Sequence, residues 1–444
     1  MMMTGRYLKQ LNRTYESQTK LMEQSDGDKL HRPSDDAVGY SKFLRYGSNK
    51  VENEQYQANV KTAISWMRNS DSALTDMSDR IKTVVVKSNA AQGTMTESDM
   101  KAIAGEMLVQ VQQAVSDGNA QIGDRYLFSG QNDLIQPYAM STDYKDRGIP
   151  KTLDDKQAEF FSGSTTPGPV KSGDITQMLT LKGDDGNTYF MNTISGDIYT
   201  EEFVEEGYKA VMSDTVAMSD PNYLTGKQAG TSSTFASNKV HHYFNEYGVI
   251  NTEGEGFSEE ITVDGKKVTV KLATIKQHIV TYHGDKREFS MVKENGAVQP
   301  ASDSVNASGA DIAGYSIFDN EEAYASGSYP GPSGAAAFND LLTVVAKCEK
   351  ADDRWMSSDG KHLAENSFNI VNTAQSKLAA RQQVYTDCQD MLTTMNEQIT
   401  QDITDVHSTD IAKLSVSLME AQTVYQLSLS VGSRILPPTL ADYL

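Results

Sequence analysis

Cysteine is nearly absent from this chain: Cys348 and Cys388 are the only two in 444 residues. That excludes a disulfide scaffold. The two could still pair, and the simpler reading is two small core hydrophobes. No uninterrupted apolar run of about 18 residues occurs, so no membrane-spanning helix is expected. The opening Met1-Met2-Met3-Thr4-Gly5-Arg6-Tyr7 has no apolar h-region and no small-residue cleavage site, so no Sec-type signal is expected either. Basic residues are in the minority, 40 Lys and Arg against 60 Asp and Glu, for a net charge of -20. With a pI of about 4.8, such a polyanion is repelled by nucleic acid and by anionic membrane surfaces, and neither is expected as a partner.

The motifs of common chemistry are missing as well. The seven histidines are His31, His241, His242, His278, His283, His362 and His407. None stands in an H-E-x-x-H frame and no C-x-x-C accompanies them. His278 and His283, five apart, read as surface or turn residues. Glu201-Glu202, Glu205-Glu206 and Glu259-Glu260 fit a solvated face better than acid–base work. Asp184-Asp185-Gly186 lacks the closing glutamate of an EF-hand loop. Neither a P-loop nor a G-x-S-x-G frame is found. No catalytic residue, cofactor site or metal site is therefore expected, and the chain reads as non-enzymatic.

What the chain has is one long seam. Tyr56, Val60, Ala63, Met67, Ser70, Leu74, Met77, Ile81, Val84, Ser88 and Ala91 alternate steps of four and three, with no proline or glycine among residues 56–91. The spacing puts a narrow apolar stripe along a helix of about 54 Å. A stripe of that length needs a second long helix beside it. A bundle helix and a coiled-coil rod both satisfy it.

At 444 residues the chain has room for two to four domains. Its hydrophobic content of 38% and mean hydropathy of -0.50 are polar for a globular protein but not those of a disordered one. Leu8, Leu11, Tyr15 and Met22 mark a first, short amphipathic helix over 6–24. Gly27 and Pro33 break it. Ser34 is the expected N-cap of the next helix, which starts near Asp35 and runs to about Ala91. Thr96 and Asp99 form a capping box for a helix through Met100, Ile103, Met107, Val111 and Ala114 that ends at Asp117-Gly118-Asn119.

From 138 to 334 the texture is β-rich, divided into two lobes. Ile261–Val270 reads as a hairpin on Asp264-Gly265. Leu179-Thr180-Leu181 pairs with Thr188-Tyr189-Phe190 as a second, and 278–282 with 288–292 as a third. Residues 325–334 form a linker. Helix returns near Ala335 with Phe338, Leu341, Leu342 and Val345 on one side. A second long helix over 363–402 carries Cys388, Leu392, Met395, Ile399, Ile403 and Val406. The last helix, with Ser408 as N-cap, carries Ile411, Leu414, Leu418, Ala421 and Tyr425 and stops before Pro437-Pro438. The economical packing brings both chain ends together, with the β part as an excursion between them.

Gly27-Asp28-Lys29-Leu30 through Arg32-Pro33-Ser34-Asp35-Asp36 resembles the loop between the first two helices of bacterial flagellins and their hook-associated relatives. Arg125-Tyr126-Leu127-Phe128-Ser129-Gly130 resembles the element after their third helix. Leu440-Ala441-Asp442-Tyr443-Leu444 and Thr281-Tyr282-His283-Gly284-Asp285 are similar to stretches of the hook-associated members. The match covers roughly 1–135 and 335–444. Ala37 stands where the family often has proline, and 405–410 fits the break before the last helix only loosely.

The resemblance implies a flagellin-like α+β fold: a long antiparallel helical coiled-coil rod formed by the N- and C-terminal segments, with a β-rich middle insertion. The expected domains are terminal helices (1–33 and 408–444), a helical rod (34–137 and 335–407) and an outer insertion (138–334). It also implies a structural subunit outside the cell, exported unfolded by the flagellar type III route without a cleaved signal. It would join hook to filament as a junction ring or, alternatively, build the filament itself. The implied partners are copies of the chain in a ring or tube, the preceding hook-associated junction protein, flagellin and a flagellar export chaperone. The expected assembly interface is Leu8, Leu11, Tyr15, Met22, Ile411, Leu414, Leu418 and Tyr425, and the inter-domain loop is Pro33, Ser34, Asp35 and Asp36. An intramolecular pair of the two terminal helices, and an enzyme or sugar-binding module in the insertion, are the alternatives.

Overall fold

The computed structural model describes residues 2–91, 93, 95–163, 175–213, 229–231, 240–251, 257–285, 287–289, 304–314, 316–319 and 333–435. The expected linker at 325–332, residues 290–292, Pro437-Pro438 and the 440–444 ending lie outside them.

The chain is α+β, with helices at both ends and strands in the middle. The first part holds α1 (Met2–Glu23), α2 (Ala37–Ala90), α3 (Glu97–Asp117) and a minimal hairpin of β1 (Gln121–Ile122) and β2 (Arg125–Tyr126). Next come β3 (Tyr138–Met140), β4 (Lys145–Gly148), β5 (Pro150–Thr152), α4 (Asp155–Phe161), β6 (Gln177–Gly183), β7 (Thr188–Met191), β8 (Asp197–Thr200), α5 (Tyr208–Ser213) and β9 (Gly230–Thr231). The rest of the middle is α6 (Val240–Tyr243), β10 (Ser258–Val263), β11 (Lys266–Leu272), β12 (Thr274–Gln277), β13 (Val280–Tyr282) and α7 (Gly309–Ala313). The chain returns to helix as α8 (Ala336–Glu349), α9 (Asp353–Trp355), α10 (Lys361–His407) and α11 (Ile411–Ile435). It divides into two compact units, Met1–Thr62 with Tyr385–Leu444, and Ala63–Val384.

In the larger unit the seam of α2 is buried as its spacing predicts. Ala63, Met67, Ser70, Leu74, Met77, Ile81, Val84, Ser88 and Ala91 are all enclosed. Leu363, Ala364, Ser367, Val371, Ala374 and Leu378 of α10 are enclosed with them. Gln375 on α10 donates to Asp71 at 3.2 Å and to the Thr75 hydroxyl at 2.9 Å. The expected capping box of α3 is present: Asp99 N donates to Thr96 Oγ1, and the Asp99 carboxylate returns to Thr96 N. Such reciprocal bonds satisfy two of the donors that every helix start leaves open.

α8 was expected to be apolar on one side and is enclosed on every side. Its polar residues have built-in partners. Asn339 takes the Val280 N–H at 2.8 Å and gives a bond to the Val280 carbonyl at 2.9 Å. Arg147, itself 1% exposed, reaches Asp340 at 2.7 Å and the Thr343 hydroxyl at 2.7 Å. Buried charge persists only where it is paired and hydrogen-bonded. Cys348 is also enclosed here, 3.2 Å from the Met100 carbonyl oxygen, and both cysteines are free thiols.

The middle segment is organised by one sheet in the order β10-β11-β6-β7-β8-β9, with β5 added to β6. The Asp264-Gly265 hairpin forms as expected, Val263 opposite Lys266, with φ of 49° and 76° at the two turn residues. Both values are positive, as a type I′ turn requires. The Leu179–Leu181 and Thr188–Phe190 pair forms too. The sheet curls: Ala229 N donates to the Ile198 carbonyl and Thr262 N donates to the Ala229 carbonyl at 3.2 Å. Leu179, Leu181, Tyr189, Met191, Ile198, Ile261, Val268 and Val270 fill the inside of the curl. Phe190, Tyr199 and Met178 point to the other face, against Phe160 and Phe161 of α4 and Tyr208 of α5. Alternate residues along each strand thus serve two cores.

One reading differs in this segment. The third hairpin is not found among the described residues: β13 pairs with β3, Val280 opposite Met140 and Tyr282 opposite Tyr138. Asn339 fixes β13 in place, and Glu288 is drawn instead to Arg381 at 3.2 Å. Glu202, Glu206 and Glu260 are exposed, as a solvated face requires, and Glu201 and Glu205 are also ion-paired. Glu205 and Asp359 both close on Lys151, which is 2% exposed, and Glu201 holds Arg354 at 3.1 Å.

Candidate assembly interface

The smaller unit contains the sequence-expected interface, so its construction matters most. α2 begins at Asp36 rather than at Ser34. The Asp36 carboxylate accepts from Val38 N at 3.1 Å and Gly39 N at 3.0 Å, which holds its pKa down. Ser34 and Pro33 are exposed. Asp35 ties the loop instead: it accepts from Arg32 N at 3.0 Å and meets Lys20 of α1 at 3.1 Å. Lys20 and the backbone donors lower the Asp35 pKa. α11 likewise starts on Asp410, whose carboxylate accepts from Ala412 N and Lys413 N. Ser408, the expected cap, donates back into α10, to the Thr404 carbonyl at 2.5 Å. An aspartate outcompetes serine at both sites because its charge also meets the positive end of the helix dipole.

Within this unit α2 and α10 run antiparallel. The Phe43 ring stacks on His407 at 4.3 Å, and further along α2 Gln57 donates to the Leu392 carbonyl at 3.1 Å. Val60, Leu392 and Ile399 are enclosed, while Tyr56 and Met395 of the expected stripes stand outside. Steps of three and four back from Val60 lead equally well to Gln57 and Asn53. That polar register is the one used: Gln57 donates to Asn53 at 2.7 Å. Choosing apolar residues alone selects Tyr56 and misses it.

The two terminal helices form a pair within the chain. Tyr7 Oη donates to the Ser428 carbonyl at 2.8 Å, and the rings of Tyr15 and Tyr425 lie 6.1 Å apart. Leu414 is buried, and Leu11, Leu418 and Tyr425 are half-buried in the same seam. The remaining members of the expected set, Leu8, Tyr15, Met22 and Ile411, stay exposed. So the structure brings Leu11, Leu414, Leu418 and Tyr425 into the pair, sets Tyr15 at its rim against Tyr425, and leaves Leu8, Met22 and Ile411 outward.

Sequence reading missed a second apolar register on α11. Val416, Met419, Val424, Leu427, Leu429 and Val431 are all exposed, Met419 at 64%. Val424, Leu427 and Val431 step by three and four, so the signal was there, in a phase one position off the one followed. Val424, Leu427 and Val431 also line a shallow groove of about 290 Å³ with Tyr7, Gln10, Leu11 and Ser428. A second apolar stripe on a helix whose first is already paired is surface available for another contact. Fully covering a side chain of this size is worth about 1.5–3 kcal/mol. All six are already about half covered, so enclosing them fully adds roughly 5–9 kcal/mol, within the range of about 4–15 kcal/mol that association costs. Contacts with more than one neighbour would tip that balance.

No family model matches the chain, and no curated protein matches it. Among solved structures it is similar to the flagellar junction protein FlgL from Legionella pneumophila, at 12% identity over 83% of this chain and 100% of that one, with a TM-score of 0.37. FlgL from Xanthomonas campestris gives 11% identity over 79% of this chain and 99% of that one, TM-score 0.34. FliC from Burkholderia pseudomallei gives 16% over 72% and 99%, TM-score 0.22.

Proposed function

We propose that this chain is a non-catalytic structural subunit of the bacterial flagellum that joins the hook to the filament. Copies of it stack through the outward apolar registers of α1 and α11, in a ring or tube outside the cell. The observation that carries the reading is the paired terminal helices: they satisfy one seam and leave a second apolar face on α11, Val416, Met419, Val424, Leu427 and Val431, uncovered. The Pro33-Ser34-Asp35-Asp36 loop and the Leu127-Phe128-Ser129-Gly130 turn supply the flagellar context, through their resemblance to that family. A contact of one face with a different face of the next copy closes into rings or winds into tubes. The preceding junction protein, flagellin and an export chaperone are the further partners of this reading.

The filament subunit itself is the second reading, because the Pro-Ser-Asp-Asp loop is common to both kinds of protein. Deleting the gene separates them. Loss of a junction subunit leaves bare hooks and spills flagellin monomer into the medium, whereas loss of a sole filament subunit spills none. Electron microscopy of flagella labelled against the 138–334 segment gives the same answer by position: a band at the distal end of the hook, or staining along the filament. Label in neither place overturns both readings.

A further inference from the structure

α1 has the opposite charge balance to the chain it belongs to. It carries four cations, Arg6, Lys9, Arg13 and Lys20, against two carboxylates, Glu16 and Glu23, in a molecule with a net charge of -20. The cations step by three, four and seven, so they form one narrow ridge, on the far side of the helix from Leu8, Leu11 and Tyr15. Glu16 stands at the edge of the ridge. Lys20 is held by Asp35 at 3.1 Å, and Glu23 by Arg32 at 3.2 Å. Arg6, Lys9 and Arg13 are exposed, and no ion pair among the described residues engages them.

The C-terminal half of α10 is the counterpart. Residues 382–407 hold five carboxylates, Asp387, Asp390, Glu397, Asp402 and Asp405, and no lysine or arginine. Asp387, Asp390, Glu397 and Asp405, with Thr394 and Gln401 between them, follow steps of three and four on the side away from the enclosed Leu392 and Ile399. All four carboxylates are exposed. Gln401 gives Asp405 a hydrogen bond at 2.8 Å, and no ion pair among the described residues engages Asp390, Glu397 or Asp405. Arg6 and Arg13 stand seven residues apart, and so do Asp390 and Glu397. Each pair therefore spans about 10 Å of helix.

We infer that the basic ridge of α1 in one copy seats on the acidic face of α10 in a second copy. This deepens the assembly reading, on whose contact between copies it rests, by naming one such contact and its polarity. Like charges keep ridge from ridge and acidic face from acidic face, so the contact joins unlike faces, the kind that continues from copy to copy. Exposed ion pairs contribute little each. Their part is to select the partner face, while the outward apolar registers supply buried area. A basic amphipathic helix also suits an anionic membrane. Here the five carboxylates of α10 and the net charge of the whole chain repel such a surface.

Sedimentation velocity of the full chain tests the contact. The wild type should self-associate. The triple variants Arg6→Glu, Lys9→Glu, Arg13→Glu and Asp390→Lys, Glu397→Lys, Asp405→Lys should each associate about tenfold or more weakly. Mixed in equal amounts they should associate again, because each offers the other the face it has lost. A wild type that stays monomeric at its highest soluble concentration, a variant that associates as the wild type does, or a mixture that fails to recover overturns the contact. If either variant loses helix content, carbodiimide coupling of mixed light- and heavy-isotope wild type decides. Lys9 joined to Asp390, Glu397 or Asp405 of a differently labelled copy supports the contact, and absence of such links overturns it. Binding to phosphatidylglycerol vesicles that the α1 variant loses, with self-association unchanged, overturns it in favour of a membrane. None of these readouts needs a flagellum, so the flagellar reading can fail while this contact stands, and the reverse.

Discussion

Gly130 has the left-handed φ of +67°, and a methyl group there would lie 1.7 Å from the Asp285 carbonyl oxygen. Flexible side chains can yield; a backbone carbonyl cannot. Gly130→Ala should therefore lower stability by about 2 kcal/mol or more, seen as a fall in the midpoint of denaturant unfolding. The second residue to probe is Asp340. Removing it leaves the Arg147 guanidinium enclosed without its countercharge, and Asp340→Ala should cost about 3–5 kcal/mol. Replacing both residues with leucine and methionine should cost less, because no charge is then stranded. The third is Glu288. Burial and the neighbouring Asp311 carboxylate push its pKa up from 4.5 to about 7, against the pull of Arg381. The folded chain then holds this proton more tightly than the unfolded one, so its contribution is full below 4.5 and lost as pH rises through about 7. Stability should fall across that window, and Glu288→Gln should flatten the slope.

Among the elements, α2 gives the clearest measure of what residue spacing reveals. Leu74 and Met77 are fully enclosed, and either one changed to alanine should cost about 2–5 kcal/mol. Ser70 and Ser88, the two polar members of that seam, have hydroxyls that are buried without a partner. Ser70→Ala should thus be neutral or stabilising in the same unfolding assay, against the usual trend for core substitutions. The apolar seam from Val60 to Ala91, the Thr96–Asp99 box and the Asp264-Gly265 turn were all legible, because each depends on residues close in sequence. Tyr56 and Met395 were misplaced where polar side chains own the register. Ser34 and Ser408 lost their capping roles to Asp36 and Asp410, each two residues on. The pairing of β13 with β3 spans about 140 residues and is set by Asn339, which no local pattern could announce.

At the scale of the molecule, the test of the candidate interface is to separate its inward register from its outward one. Leu414 lies between α1 and α11, so Leu414→Asp should open the pair and increase proteolysis of both terminal helices. Met419 faces outward, so Met419→Asp should leave helix content and unfolding midpoint unchanged and abolish incorporation into flagella. A subunit that still incorporates with Met419→Asp would remove the outward register from the assembly reading. Half of the candidate site was readable from the sequence, since Leu414, Leu418 and Tyr425 follow a single phase of α11 and Leu11 lies on the apolar stripe of α1. The other half lies in the second phase of α11, invisible while one stripe was taken to be enough.

Tyr7 and Ser428 touch, yet 421 residues separate them. A ribosome adding about 5–20 residues per second needs roughly 20–80 s to cover that distance. For all of that time the first helix has no mate, and a lone segment of 22 residues is a marginal helix in water. α1 is thus made long before its final neighbour, and the order of synthesis itself keeps the two helices apart until the chain between them is complete.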